Sequence, residues 1–146
     1  MIEFDVEKYD TILARGLSHG LGEAGGQVCI EAAICEVLGL GHSDDPKCVS
    51  AAVRRFKISL NDSNWSSPEA RAKGLRELGI AQLGSLGIVY DTDAARAAYA
   101  ARAADAARAA ADSAAADSDS YLRLAADLAL EVLRELKSPG CELLGV

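Results

Sequence analysis

Aromatic residues are scarce in this chain of 146 residues: Phe, Trp and Tyr make up 5% of it, although half of all residues are apolar. Alanine fills the difference. A core made from Ala, Leu, Ile and Val suits closely packed helices better than a sheet. Histidine is also scarce, with two residues, His19 and His42. Neither follows a Glu at the Glu-x-x-His spacing that di-iron carboxylate bundles require. Long hydrophobic runs are missing too. No stretch approaches the roughly 18 uncharged apolar residues of a transmembrane helix. The acidic opening MIEFDVEKYD lacks the basic and apolar regions of a secretory leader. Positive charge is in the minority: the net charge is −7 and the sequence pI is about 4.8. Such a chain repels phosphate backbones at long range, which argues against a DNA or RNA partner. Together these absences point to a cytoplasmic protein, off the membrane, whose four cysteines (Cys29, Cys35, Cys48 and Cys141) are thiols.

What is present reads as helix after helix. Val6, Tyr9, Leu13 and Leu17 make one apolar stripe, so residues 3–16 are expected to be helical, ending near Gly16. A glycine-rich loop follows. Residues 27–38 are apolar on most sides, which marks a core helix; its acids, Glu31 and Glu36, should mark the edge that meets water or a polar partner. Asp45-Pro46 has the chemistry of an N-cap followed by an N1 proline, so a helix is expected from 46 to about 60. Val49, Val53, Phe56 and Leu60 form its apolar stripe. Ser50, Arg54, Lys57 and Asn61 lie on the other face, which reads as solvent-facing. Ser67, Pro68 and Glu69 start a further helix reaching about Leu83. Gly74 and Gly79 lie inside it, and their cost in helix propensity implies close contact with a neighbouring backbone.

Residues 94–116 hold sixteen alanines, and 94–108 read AAR-AAY-AAR-AAD-AAR, a period of three set on a helix of 3.6. The larger side chains therefore spiral around the axis. Alanine is the best helix former, and a long helix is expected. The last helix, about 120–137, carries Leu122, Ala125, Leu128, Ala129, Val132, Leu133 and Leu136. Only GIVYD, residues 87–91, has an extended look, and it has no partner strand. The expected architecture is all-α: one domain over 1–146, a compact bundle of about six helices. Residues 1–90 form a short-helix part. Residues 91–146 form an Ala-rich hairpin in which the long Ala helix pairs with the C-terminal helix. Ala/Leu faces of that kind are readily shared between copies, so a homo-oligomer is expected.

Three constellations could carry chemistry. In GLGEAGGQVCIEAAIC, residues 20–35, Cys29 begins a helix, where the dipole favours thiolate. Gln27 is placed to lend an oxyanion donor. The stretch GGQVCIEAA resembles the Gly-rich entry into the catalytic helix of papain-like and ovarian-tumour-type cysteine hydrolases. That resemblance implies a small hydrolase with Cys29 as nucleophile and a His as base; the chain offers His19 and His42, and His42, 13 residues after Cys29, is the candidate. Cys29, Cys35, His42 and Cys48 also have the donor types for tetrahedral zinc, without the tight C-x2-C knuckle. The third constellation is basic. Six of the fifteen Lys and Arg residues fall between 54 and 76: Arg54, Arg55, Lys57, Arg71, Lys73 and Arg76, with Trp65 between them. A positive cleft with an aromatic floor would suit a nucleotide or another small anion.

The Ala-rich half, residues 92–137, resembles the Ala-rich helices of small bacterial proteins described as immunity proteins of toxin systems. The chain as a whole is similar in layout to uncharacterised bacterial and phage proteins. Such a resemblance implies stoichiometric binding in bacterial immunity or phage–host conflict. The leading expectation is therefore a non-enzymatic protein that binds a protein partner or a small anionic ligand and needs no cofactor. A nucleotide-sequestering protein and a cysteine hydrolase are the alternatives.

Overall fold

The computed structural model describes residues 2–88 and 118–145. The protein is all-α. Five α-helices are described: α1 (Val6–Leu13), α2 (Ile30–Val37), α3 (Ala51–Asn61), α4 (Pro68–Ala81) and α5 (Ser118–Glu135). Two 3-10 segments, Ser85–Gly87 and Pro139–Leu144, complete the described elements. Among the described residues there is no strand, only isolated bridges joining Val28 to Leu17 and Gly22. The expected Ala-rich helix, its expected pairing with the C-terminal helix and the hairpin expected over 91–146 fall largely outside the described residues. None of the described helices is long and apolar enough to cross a membrane.

Side-chain caps set where the helices begin. Asp5 accepts from the Lys8 N–H at 2.9 Å and opens α1. Ser67 accepts from Ala70 at 3.0 Å and opens α4, with Pro68 at the first helical position as the sequence predicts. Two starts differ from expectation. The apolar pattern suggests residue 27 for α2, but Gln27 and Val28 continue the loop and Cys29 is the cap. Asp45-Pro46 does not open α3. Ser50 does, with its hydroxyl oxygen 3.2 Å from the Val53 N–H. Asp44 and Asp45 are used elsewhere, as partners of the Arg54 guanidinium. The loop 14–29 turns tightly at Gly22. Its φ is +76°, and a Cβ there would lie 2.2 Å from the Gln27 carbonyl oxygen, so glycine is required.

α4 packs against α1, α2, α5 and the C-terminal 3-10 segment. Leu75, Leu78, Ile80 and Ala81 of α4 meet Tyr9, Ile12, Ile30, Ile34 and Leu122 in one core. Gly74 and Gly79 do mark close approach, but to side chains and not to backbone. A Cβ on Gly74 would lie 2.4 Å from the Trp65 ring, and one on Gly79 would lie 2.1 Å from the Tyr9 hydroxyl. α4 and α5 run parallel. At their N-terminal ends Ser66 N–H donates to Asp119 at 2.9 Å. At their C-terminal ends Gly140 N–H donates to the Leu83 carbonyl, also at 2.9 Å.

Candidate functional site

The polar face of α3 is largely shielded from water, with only Arg54 partly exposed. Ser50, Lys57 and Asn61 are buried, and the face turns toward α2. Lys57 and Glu31 are both 0% exposed and form an ion pair. Gln82, also fully buried, donates to the second Glu31 oxygen at 3.1 Å. Asn61 accepts from the Ile30 N–H at 3.1 Å and donates to the Ser18 carbonyl at 2.9 Å. Burial pushes the Glu31 carboxyl up and the Lys57 ammonium down, and the opposite charge of each partner resists both shifts. The sequence offered one clue to this network: an acid in the first turn of a largely apolar core helix, if it is buried, needs a partner.

The expected basic cleft between 54 and 76 does not assemble. Arg54 binds Asp44 through its carbonyl (2.7 Å) and carboxylate (2.8 Å). Lys57 is buried against Glu31. Arg71 is buried and donates to the carbonyls of Asn61, Leu17 and Ser63 at 2.8, 2.9 and 3.3 Å. Desolvation lowers its pKa. Arg76 forms a two-pronged pair with Asp10 at 2.6 and 2.9 Å. Trp65 does not floor a cleft; it is buried and donates its indole N–H to the Leu60 carbonyl at 2.9 Å. Arg55 is exposed on α3. The long, forked side chains are taken up in tying loops to helices.

The cysteine hydrolase arrangement is not assembled either. The Cys29 sulfur accepts from the Ala32 N–H at 3.3 Å, so it serves as the α2 cap. Its thiol pKa is raised, first by burial, although the cap hydrogen bond and Lys57 pull it down. A raised pKa keeps it protonated, the reverse of what a nucleophile needs. Gln27 donates to the Arg15 carbonyl at 3.0 Å. The His42 Nε2 lies 3.2 Å from the Gly22 carbonyl oxygen. Both expected helpers are thus engaged with backbone. As for zinc, Cys35 is fully buried with its thiol pushed up to about 11, and Cys48 is half-buried. Among the described residues no three His, Cys, Asp or Glu side chains are grouped to hold a metal.

The strongest candidate site is a groove between α4 and α5, with a volume of about 290 Å³. Lys73, Arg76 and Glu77 project from α4, and Arg123 and Asp127 from α5. Gly74 and Ala126 keep its floor low. Lys73 and Arg123 pair with no carboxylate among the described residues, so the groove is lined by a cation from each helix. The Trp65 ring lies beneath the floor, against Gly74. The sequence placed Lys73 and Arg76 in a basic cluster, but Arg123 lies far along the chain and joins them because α5 runs parallel to α4. The chain matches no protein-family model, and no curated protein or solved structure matches it.

Proposed function

We propose that this chain is a non-enzymatic binding protein, and that its ligand is a small anion seated in the α4–α5 groove. The observation that carries this reading is the pair Lys73 and Arg123, drawn from two helices and, among the described residues, without carboxylate partners at an opening of about 290 Å³. That size is close to the roughly 300 Å³ at which small-molecule sites begin. The guanidinium supplies a fork for phosphate or carboxylate oxygens, and the ammonium a point charge. Glu77 and Asp127 would accept hydrogen bonds from the same ligand, which favours an anion that also carries donors, such as a nucleotide, over a bare phosphate. Binding would be stoichiometric, one ligand per chain. In the immunity or phage-conflict setting that the Ala-rich resemblance implies, the protein would act by holding its ligand and not by turning it over.

Calorimetric titration with nucleoside phosphates and inorganic phosphate tests the reading. Trp65 fluorescence provides a second signal, because its ring lies under the groove. Replacing Lys73 and Arg123 with Ala together should weaken binding by about a hundredfold or more, since hydrogen bonds to charged groups contribute about 1.5–3 kcal/mol each. Both side chains are exposed, so the fold should be unaffected. No heat and no fluorescence change with any anion would end the proposal, as would equal affinity in the double variant.

A further inference from the structure

The charges around the α4–α5 groove come in two matched steps. Lys73 is followed four residues later by Glu77, and Arg123 four residues later by Asp127. Four residues make about one helical turn, so in each helix the two side chains leave the same face, with a rise of about 6 Å between them. At this spacing a cation and a carboxylate can pair within a helix. Here the cation comes first, which is the weaker of the two orders. Neither pair closes: among the described residues none of the four side chains makes an ion pair. All four are exposed.

Because α4 and α5 run parallel, both steps point the same way. Averaged over the two helices, the carboxylates sit about 6 Å farther toward the C-terminal ends than the cations. The groove therefore has a positive end and a negative end. Arg76 does not upset this balance. Asp10 holds both of its prongs, at 2.6 and 2.9 Å. Its pKa is raised first by that hydrogen bonding, and Glu77 adds least. Two cations and two carboxylates of the lining are thus left for a ligand. A ligand that is anionic throughout gains from Lys73 and Arg123 but is repelled by Glu77 and Asp127. One that carries an ammonium group beside its anionic group satisfies both ends.

We infer that the ligand of this groove is a small zwitterion: a phosphate or carboxylate group held by Lys73 and Arg123, with an ammonium group about 6 Å away held by Glu77 and Asp127. The inference rests on the groove's being the binding site, and it narrows the ligand from an anion with donors to an anion with an amine. A hydroxyl gives a carboxylate a donor; an ammonium gives it a donor and a countercharge. The two large apolar side chains of the lining, Leu78 and Leu130, are 1% and 4% exposed. Selection therefore falls on charge and not on apolar bulk. Since the four charged side chains are exposed, affinity is modest and falls with added salt.

Titration calorimetry of the full chain at neutral pH and low salt tests this. Aminoethyl, aminopropyl and aminobutyl phosphate bracket the spacing; ethyl, propyl and butyl phosphate are the same frames without the amine. The best amino phosphate should bind about tenfold or more tightly than its matched alkyl phosphate. With Glu77→Gln and Asp127→Asn together, that advantage should vanish, and the alkyl phosphate should bind at least as well as it does to the parent. Both substitutions keep side-chain size at exposed positions, so the fold is retained. Equal affinity of amino and alkyl phosphates for the parent overturns the inference, as does an advantage that survives in the amide variant. In either case, alkyl phosphate binding that is lost in Lys73→Ala with Arg123→Ala still supports the groove as an anion site. If neither series binds, the zwitterion inference falls, and nucleoside phosphates alone decide the anion reading.

Discussion

Replacing Lys57 with Met removes one member of an ion pair that is wholly shielded from water. Lys57, Glu31 and Gln82 are each 0% exposed. The substitution is close to isosteric, so little packing is lost. What it leaves is a carboxylate with one neutral partner, the Gln82 amide at 3.1 Å. Breaking a buried pair from one side costs about 3–5 kcal/mol. That is a fifth or more of the roughly 5–15 kcal/mol by which a domain of this kind is stable. Glu31→Leu alone should cost a similar amount, because it strands the ammonium. The double variant, Glu31→Leu with Lys57→Met, strands neither charge. It still leaves the Gln82 side chain without an acceptor, at about 1–3 kcal/mol. The double variant should therefore be more stable than either single one. Adding Gln82→Leu should bring stability back to the parent level or above it, since apolar replacements of buried pairs are often neutral or stabilising. Urea unfolding at neutral pH, followed by Trp65 fluorescence, measures all four free energies. Two results would refute the reasoning: a loss below about 1 kcal/mol in Lys57→Met, or a double variant whose loss equals the sum of the singles.

Glu31 also gives a pH prediction. Its carboxyl pKa is raised in the fold, so the folded state takes up a proton before the unfolded chain does. Its contribution is complete below the unfolded value of 4.5 and is lost as pH rises through the folded value. Relative to Glu31→Gln, the parent should gain stability as pH falls from neutral toward that value; a flat or opposite trend in paired urea titrations would contradict the assignment. Thiol reactivity should divide the cysteines: Cys48 and Cys141, half-buried, react with Ellman's reagent in the native protein, while Cys29 and Cys35 wait for unfolding. Fast alkylation of Cys29 at low pH would restore the nucleophile reading. Gly79→Ala should lower stability by about 1–3 kcal/mol, because its Cβ would lie 2.1 Å from the Tyr9 hydroxyl; thermal melts would show no loss if that approach were loose.

The parts of the fold legible in the sequence are those governed by local chemistry. Ser67-Pro68-Glu69 carries the start of α4 within three residues, and the Val49–Val53–Phe56–Leu60 stripe carries the inner face of α3. Asp45-Pro46 misleads because a cap and an ion pair compete for the same aspartates, and Arg54, nine residues on, decides the contest. The face of Ser50, Lys57 and Asn61 misleads for a different reason. Polar spacing on a helix is the same whether the face meets water or a buried acid, and the difference lies in Glu31, on another helix. The basic cluster failed as a site because arginine's reach serves loop carbonyls as readily as ligands: Arg71 alone closes on three of them. The groove was half visible. Lys73 and Arg76 are close in sequence, but Arg123 reaches them through tertiary packing, which no local pattern encodes.

The parallel course of α4 and α5 has a kinetic consequence. In a helical hairpin the pairs nearest the turn are close along the chain, so contact can start there and spread outward. Here the separation hardly changes along the seam. Ser66 and Asp119 are 53 residues apart, and Ala81 and Ser138 are 57 apart. No pair along it offers an early foothold. The first contact closes a loop of some fifty residues, an entropic cost of about (3/2)RT ln n, before any neighbouring pair contributes. Every later pair then forms at almost no further loop cost. The seam should therefore assemble late and as one event, and it, rather than the formation of any single helix, should set how fast this small helical protein folds.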